Sequence, residues 1–174
     1  HYLSTVCNLS NDLLEIVNHI LDFAKIESRQ IDLDYNPFEF RDMVSKAINP
    51  LAARAQSKDL EFHVRIAPEV PNCLAGDAGR IRQIIVNLVG NALKFTTKGQ
   101  ILVEATWGDP SDDDEDQCNL RFSVTDTGPG IPESQLQAIF QRFTEADISI
   151  SRQFGGTGLG LAICHTLVEA MEGR

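Results

Sequence analysis

The sequence predicts an α+β fold, a two-layer sandwich with helices on one face of a sheet, preceded by a long helix. Apolar residues recur at helical spacing over the first 36 positions. Beyond position 38, strands with two-residue alternation are mixed with amphipathic helices, and no internal repeat appears. With 174 residues, 43% of them hydrophobic and 23% charged, there is material for one full domain and an appendage.

Residues 1–36 contain neither Gly nor Pro. Leu3, Val6, Leu13, Val17, Ile20 and Ala24 recur at three- and four-residue spacing, interrupted at Ser10. Leu9, Leu14, Ile16, Leu21 and Phe23 widen that stripe towards a multi-helix bundle. Such a helix either packs on its own domain or forms half of a dimerising helical hairpin. A short strand at 38–40 then leads into a helical stretch at 41–57 with a kink or break expected at Pro50. Leu60, Phe62, Val64 and Ile66 alternate with Glu61, His63 and Arg65, a half-buried strand with His63 on its solvent face.

Asp77 is an N-cap candidate for a helix running to about Phe95, with Ile81, Ile84, Ile85, Leu88, Val89 and Ala92 on its buried side. Strands at 101–107 and 120–126 follow, joined by a loop whose acidic run at 112–116 reads as solvated, with metal binding as the alternative. After a Gly- and Pro-marked turn come a polar segment, a glycine cluster and a final apolar helix at 159–171. The strands are expected to be antiparallel.

The formal net charge of -10 argues against general affinity for nucleic acid or anionic membrane. Apolar runs are short and interrupted by charge, which predicts neither a bilayer span nor a signal peptide, and hence a soluble, cytoplasmic fragment whose parent could still be membrane-tethered. Cys7, Cys73, Cys118 and Cys164 lack any C-x-x-C spacing and fit reduced structural thiols.

Three features carry chemistry. Asp126 shares a strand face with Leu120, Phe122 and Val124, so a carboxylate is directed inward at a strand end. Gly128-Pro129-Gly130 after it leaves room for a flat ligand, and an exocyclic amine such as that of adenine would satisfy the carboxylate. Alternatively Asp126 caps its own turn. Gln83, Asn87, Asn91 and Lys94 form a polar stripe on the helix after Asp77. Asn is a poor mid-helix residue, and its carbonyl oxygen suits Mg2+, which leaves Lys94 to neutralise a phosphate. Finally, Gly155-Gly156-Thr157-Gly158-Leu159-Gly160 opens a helix, where free amides and the positive dipole end attract phosphate. It is neither a P-loop nor a dinucleotide fingerprint.

In combination these segments resemble the catalytic domain of histidine kinases of the Bergerat, or GHKL, ATPase superfamily. Asn87-Leu88-Val89-Gly90-Asn91-Ala92-Leu93-Lys94-Phe95-Thr96 is similar to the N box, and Asp126-Thr127-Gly128-Pro129-Gly130 to the first glycine box. Phe140 and Phe143 match the F box, and Gly156-Thr157-Gly158-Leu159-Gly160-Leu161 the second glycine box. Asp22-Phe23-Ala24-Lys25-Ile26-Glu27 looks like the end of the second dimerisation helix of hybrid-type kinases.

The resemblance implies the Bergerat ATP-binding sandwich over 37–174, with part of a dimerisation and phosphoacceptor domain over 1–36. It implies Asp126 at adenine, Asn91 as Mg2+ ligand with Asn87 in support, and Lys94 near phosphate. It further implies a lid at 132–155, anchored by Phe140 and Phe143 unless these are simply core aromatics, with Arg152 reaching a phosphate. The implied ligands are ATP and Mg2+, and the implied partners are a second copy, through the N-terminal helix, and a response-regulator receiver domain.

Three departures qualify it. His1, His19, His63 and His165 all lack the H-box context of an acid and a nearby proline, so the acceptor histidine is expected elsewhere. Two further strands are expected where the family continues past Gly173-Arg174. Glu145 and Glu172 stand where hybrid kinases usually have Gln and Gly. Related gyrase, chaperone and mismatch-repair ATPases carry a general-base Glu where this chain has Asn87, whose amide cannot accept a proton from water. Phosphoryl transfer is therefore favoured over hydrolysis, with a nucleotide-binding or dimerising module without kinase activity as the alternative.

Overall fold

A computed structural model describes residues 32–108, 120–136, 138–140 and 160–174. The expected helix over the first 31 residues and the acidic loop lie outside them. The described residues belong to two compact units, one of Asp34–Ile131 and a second that includes the described part of 132–174.

The first unit holds β1 (Asn36–Glu39), α1 (Phe40–Ser57), β2 (Glu61–Ile66), β3 (Cys73–Gly76), α2 (Ala78–Phe95), β4 (Gln100–Trp107) and β5 (Leu120–Asp126). Residues 32–35 are not helical, so the N-terminal helical pattern does not continue into β1. Strands β2, β4 and β5 form one sheet in that order, and β1 pairs with β3 in a two-stranded sheet.

Each helix is ended by a recognisable device. Glu39 precedes α1 without a side-chain cap, and Asn72 supplies one from a distant loop: its carbonyl accepts from Phe40 N at 2.7 Å and its side-chain oxygen from Arg41 N at 3.2 Å. At the other end Leu60 N donates to the Ala55 carbonyl and Asp59 N to that of Gln56, a Schellman motif with Asp59 at φ 54° where glycine is usual. The helix runs through Pro50, so of the kink or break expected there the break does not occur. Asp77 caps α2 as expected, its carboxylate accepting from Arg80 N at 2.9 Å.

Ile101, Val103 and Ala105 point from β4 towards α1 and α2, which cover that face of the sheet with Phe40, Val44, Ile85, Val89 and Leu93. Full burial of each large member contributes about 1.5–3 kcal/mol. The two-layer α+β reading holds, but the all-antiparallel expectation does not. β4 and β5 are antiparallel, whereas β2 and β4 run parallel, Phe62 opposite Ile101 and Val64 opposite Val103. Between β2 and β4 the chain passes through β3 and α2, and that crossover returns it to the end from which β2 began. β3 itself was not legible: its four residues, Cys-Leu-Ala-Gly, are too few to show an alternation.

The second unit contains a 3-10 turn (Glu133–Gln135) and α3 (Gly160–Ala170), which buries Ala162, Ile163, Cys164 and Leu167. Cys164 is thus a buried thiol and Cys73 an exposed one. His63 is solvent-facing, as expected, beside Glu61 at 3.5 Å.

Candidate functional site

The C-terminal end of α2 and the end of β5 meet. Thr96, the residue after α2, is fully buried, and its hydroxyl donates to Asp126 Oδ1 at 3.4 Å. Gly128 N donates to the same oxygen at 2.8 Å. Asp126 lies in register with buried Ile101, so it faces the core side of the sheet, as the alternation predicts. It is nonetheless exposed rather than buried, because the sheet ends there and the glycine turn brings no side chain to cover it. The turn-capping alternative is also realised, since the carboxylate accepts from Gly128; one oxygen serves the turn, and among the described residues no donor reaches the other.

The backbone around Asp126 is tightly braced. A Cβ on Gly128 would stand 2.7 Å from Asp126 Oδ1 and 3.3 Å from the Phe95 carbonyl. Gly130 has φ 71°, a left-handed conformation that favours glycine, and a Cβ there would meet nothing within 4 Å. The turn is therefore close-packed on the Asp126 side and open on the Gly130 side. Thr127 ties it down from behind: its hydroxyl accepts from Gln100 N at 3.0 Å and lies 3.2 Å from the Lys98 carbonyl. That arrangement requires Gly99, whose φ is 105° and where a Cβ would fall 2.2 Å from Thr127 Oγ1.

Asn87, Asn91 and Lys94 lie on α2 at i, i+4 and i+7, a spacing that aligns them on one side at 3.6 residues per turn. That side is opposite Ile85, Val89 and Ala92, yet all three polar residues are half-buried rather than exposed. Lys94 Nζ sits 4.7 Å from the centre of the Phe95 ring. The helix end that carries them is itself anchored, because Lys58 Nζ donates to the Leu93 carbonyl at 2.7 Å and offsets the negative end of the helix dipole. Asn oxygens are hard, neutral donors suited to one or two Mg2+ positions, with substrate oxygens filling the rest. Among the described residues no cluster of three His, Cys, Asp or Glu offers a rival metal site.

In the second unit Phe140 is 47% exposed and meets the His165 ring at 5.7 Å between centroids, so it is not a core aromatic. Gly160 is the first residue of α3. Phe143, Arg152, Gly156, Thr157, Gly158 and Leu159 lie outside the described residues. A surface depression of about 540 Å³ along β2 and β4, lined by Phe62, His63, Val64, Arg65, Gln100 and Leu102, contains none of the candidate residues. It is the less persuasive site, because it lacks convergent polar groups facing a glycine-bordered opening.

Thr96 and Thr127 escaped the sequence reading as site residues. Thr96 left a signal: it falls seven residues after Val89 and four after Ala92, a polar residue in phase with the buried stripe. Thr127 entered only as a member of the segment similar to the first glycine box, since its partners are decided by how β4 and β5 meet.

The chain belongs to the histidine kinase-, DNA gyrase B- and HSP90-like ATPase family, whose pattern matches residues 76–174. Among its relatives, the hybrid signal transduction histidine kinase L of Dictyostelium discoideum is 45% identical over 97% of this chain and 10% of its own length. The sensor protein GacS of Pseudomonas syringae pv. syringae is 45% identical over 99% of this chain and 19% of its own length. The full-length ShkA crystal structure, a complex with AMPPNP, superposes with TM-score 0.80 at 33% identity, covering 98% of this chain and 34% of that one. The histidine kinase AdeS of Acinetobacter baumannii shares the fold, with TM-score 0.70 at 23% identity over 97% of this chain and 72% of that one. The chain thus spans a tenth to a fifth of the two curated relatives.

Proposed function

We propose that this chain is the ATP-binding catalytic region of a sensor histidine kinase, which transfers the γ-phosphate of ATP to a histidine on a dimerisation domain for relay to a response-regulator Asp. The observation that carries the proposal is the Asp126 carboxylate, held at the end of β5 by Gly128 N and Thr96, beside the helix end bearing Asn87, Asn91 and Lys94. Family membership and the AMPPNP complex of a relative support the same ligand.

In this reading the free carboxylate oxygen of Asp126 accepts from the adenine amine, while Gly128 and Gly130 let the ring approach the backbone. Asn91, with Asn87 in support, holds Mg2+, which when bound offsets phosphate charge. Lys94 neutralises a phosphate, and Gly156, Thr157, Gly158, Leu159 and Gly160, by resemblance to the second glycine box, are further phosphate contacts. Phe140 and Phe143 anchor the lid, and Arg152 reaches a phosphate. The amide of Asn87 cannot serve as the base that hydrolysis needs, which favours transfer over ATPase activity. Residues 1–36 then belong to the dimerisation domain, through which the parent protein forms a homodimer, and 37–174 to the catalytic domain. The cytoplasm is the compartment that supplies ATP, and among the described residues no helix is long and apolar enough to cross a membrane.

Titration with a fluorescent ATP analogue tests this. Asp126→Asn exchanges an acceptor for a donor opposite the adenine amine and is expected to weaken binding by about 10- to 100-fold, the loss of a charged hydrogen bond. Equal affinity of the two proteins would overturn the reading.

A further inference from the structure

We infer that Thr96 is a positioning residue for adenine selection: its buried hydroxyl orients the Asp126 carboxylate so that one oxygen is presented to the ligand's exocyclic amine. The inference rests on the nucleotide reading above and deepens it.

Thr96 is the one fully buried polar residue among those described, and it follows α2 directly, at its C-cap. A buried hydroxyl costs stability unless it is bonded. Its partner here is Asp126 Oδ1 at 3.4 Å. That distance is long for an O–H···O bond, so the contact by itself is weak. Its effect is raised by the company it keeps, because Gly128 N donates to the same oxygen at 2.8 Å. Two donors on Oδ1, one from the helix end and one from the turn, restrict rotation of the carboxylate. Among the described residues no donor reaches Oδ2, which is left to the ligand.

A purely structural threonine and a positioning threonine predict different results for Thr96→Val. The valine keeps the shape and removes the hydroxyl. Melting temperature is expected to stay within a few degrees of the parent or to rise, while affinity for ATP falls about fivefold. Affinity for purine riboside triphosphate, which lacks the 6-amino group, is expected to stay the same. Thr96→Ser, which keeps the hydroxyl, is expected to bind ATP within twofold of the parent. The pair Thr96→Ser and Thr96→Ala repeats the comparison should the valine variant fold poorly, since both lose the methyl group and only one loses the hydroxyl.

Unchanged ATP affinity in the hydroxyl-free variants, or equal weakening towards both nucleotides, overturns the inference. Asp126→Asn in the same assay separates the two levels. If it loses discrimination between the nucleotides while Thr96→Val does not, the positioning role alone fails. If Asp126→Asn discriminates as the parent does, the adenine reading fails and this inference with it.

Discussion

At the scale of single residues, the candidate site depends on side chains that are missing as much as on those present. Gly99 is the sharpest case, because a methyl group there would collide with the Thr127 hydroxyl at 2.2 Å in a backbone conformation, φ 105°, that side chains rarely adopt. Gly99→Ala is expected to cost about 3 kcal/mol in urea denaturation, near the upper end for one strained residue plus a displaced hydrogen bond. Because Thr127 adjoins Asp126, the same variant should also bind nucleotide more weakly at temperatures where it remains folded. Asp126, Asn87, Asn91 and Lys94 were legible as candidates because alternation and helical phase say which way they point. The degree of burial was not legible: Asp126 follows the core face and is still exposed, since what covers a strand end depends on neighbours distant in sequence.

At the scale of elements, local rules decided the α2 start and failed at the α1 start. Asp77 sits where an N-cap is expected, and its carboxylate accepts from Arg80 N as such a residue should. Asp77→Ala is expected to lower stability by about 1 kcal/mol, read as a shifted denaturation midpoint with an unchanged slope. The preceding helix has no such local signal, because its cap is Asn72, 32 residues after Phe40. Lys58 is a similar case at the other end of α2, since nothing in its neighbourhood announces that it will bond the Leu93 carbonyl. Pro50 was over-read as a breaker. A proline inside a helix lacks one backbone donor, and α1 tolerates that while its apolar face, from Phe40 to Ala55, stays buried in the core.

At the scale of the whole molecule, the chain combines a candidate phosphoryl-donor site with histidines that lack an acceptor's context. His63 and His165 are accessible, each beside a glutamate, at 3.5 and 3.3 Å. Accessibility is not enough, because transfer needs the nucleophile in line with the γ-phosphate. Incubation with labelled Mg-ATP is therefore expected to leave no label on this chain, and label that survives base but is lost in acid, the behaviour of a phosphohistidine, would contradict that. Taken by itself, the sequence determined the fold class, most element bounds, the Asp77 cap and the family-like order of its glycine and asparagine segments. The first three follow from periodicity and short-range chemistry that act within a few residues, and the last from resemblance to a family. Only the tertiary structure decided the parallel pairing of β2 with β4, the existence of β3, the remote caps and the placement of Thr96 beside Asp126. Each of those is a contact between segments far apart in the chain, and no local spacing encodes which distant donor will arrive at a given oxygen.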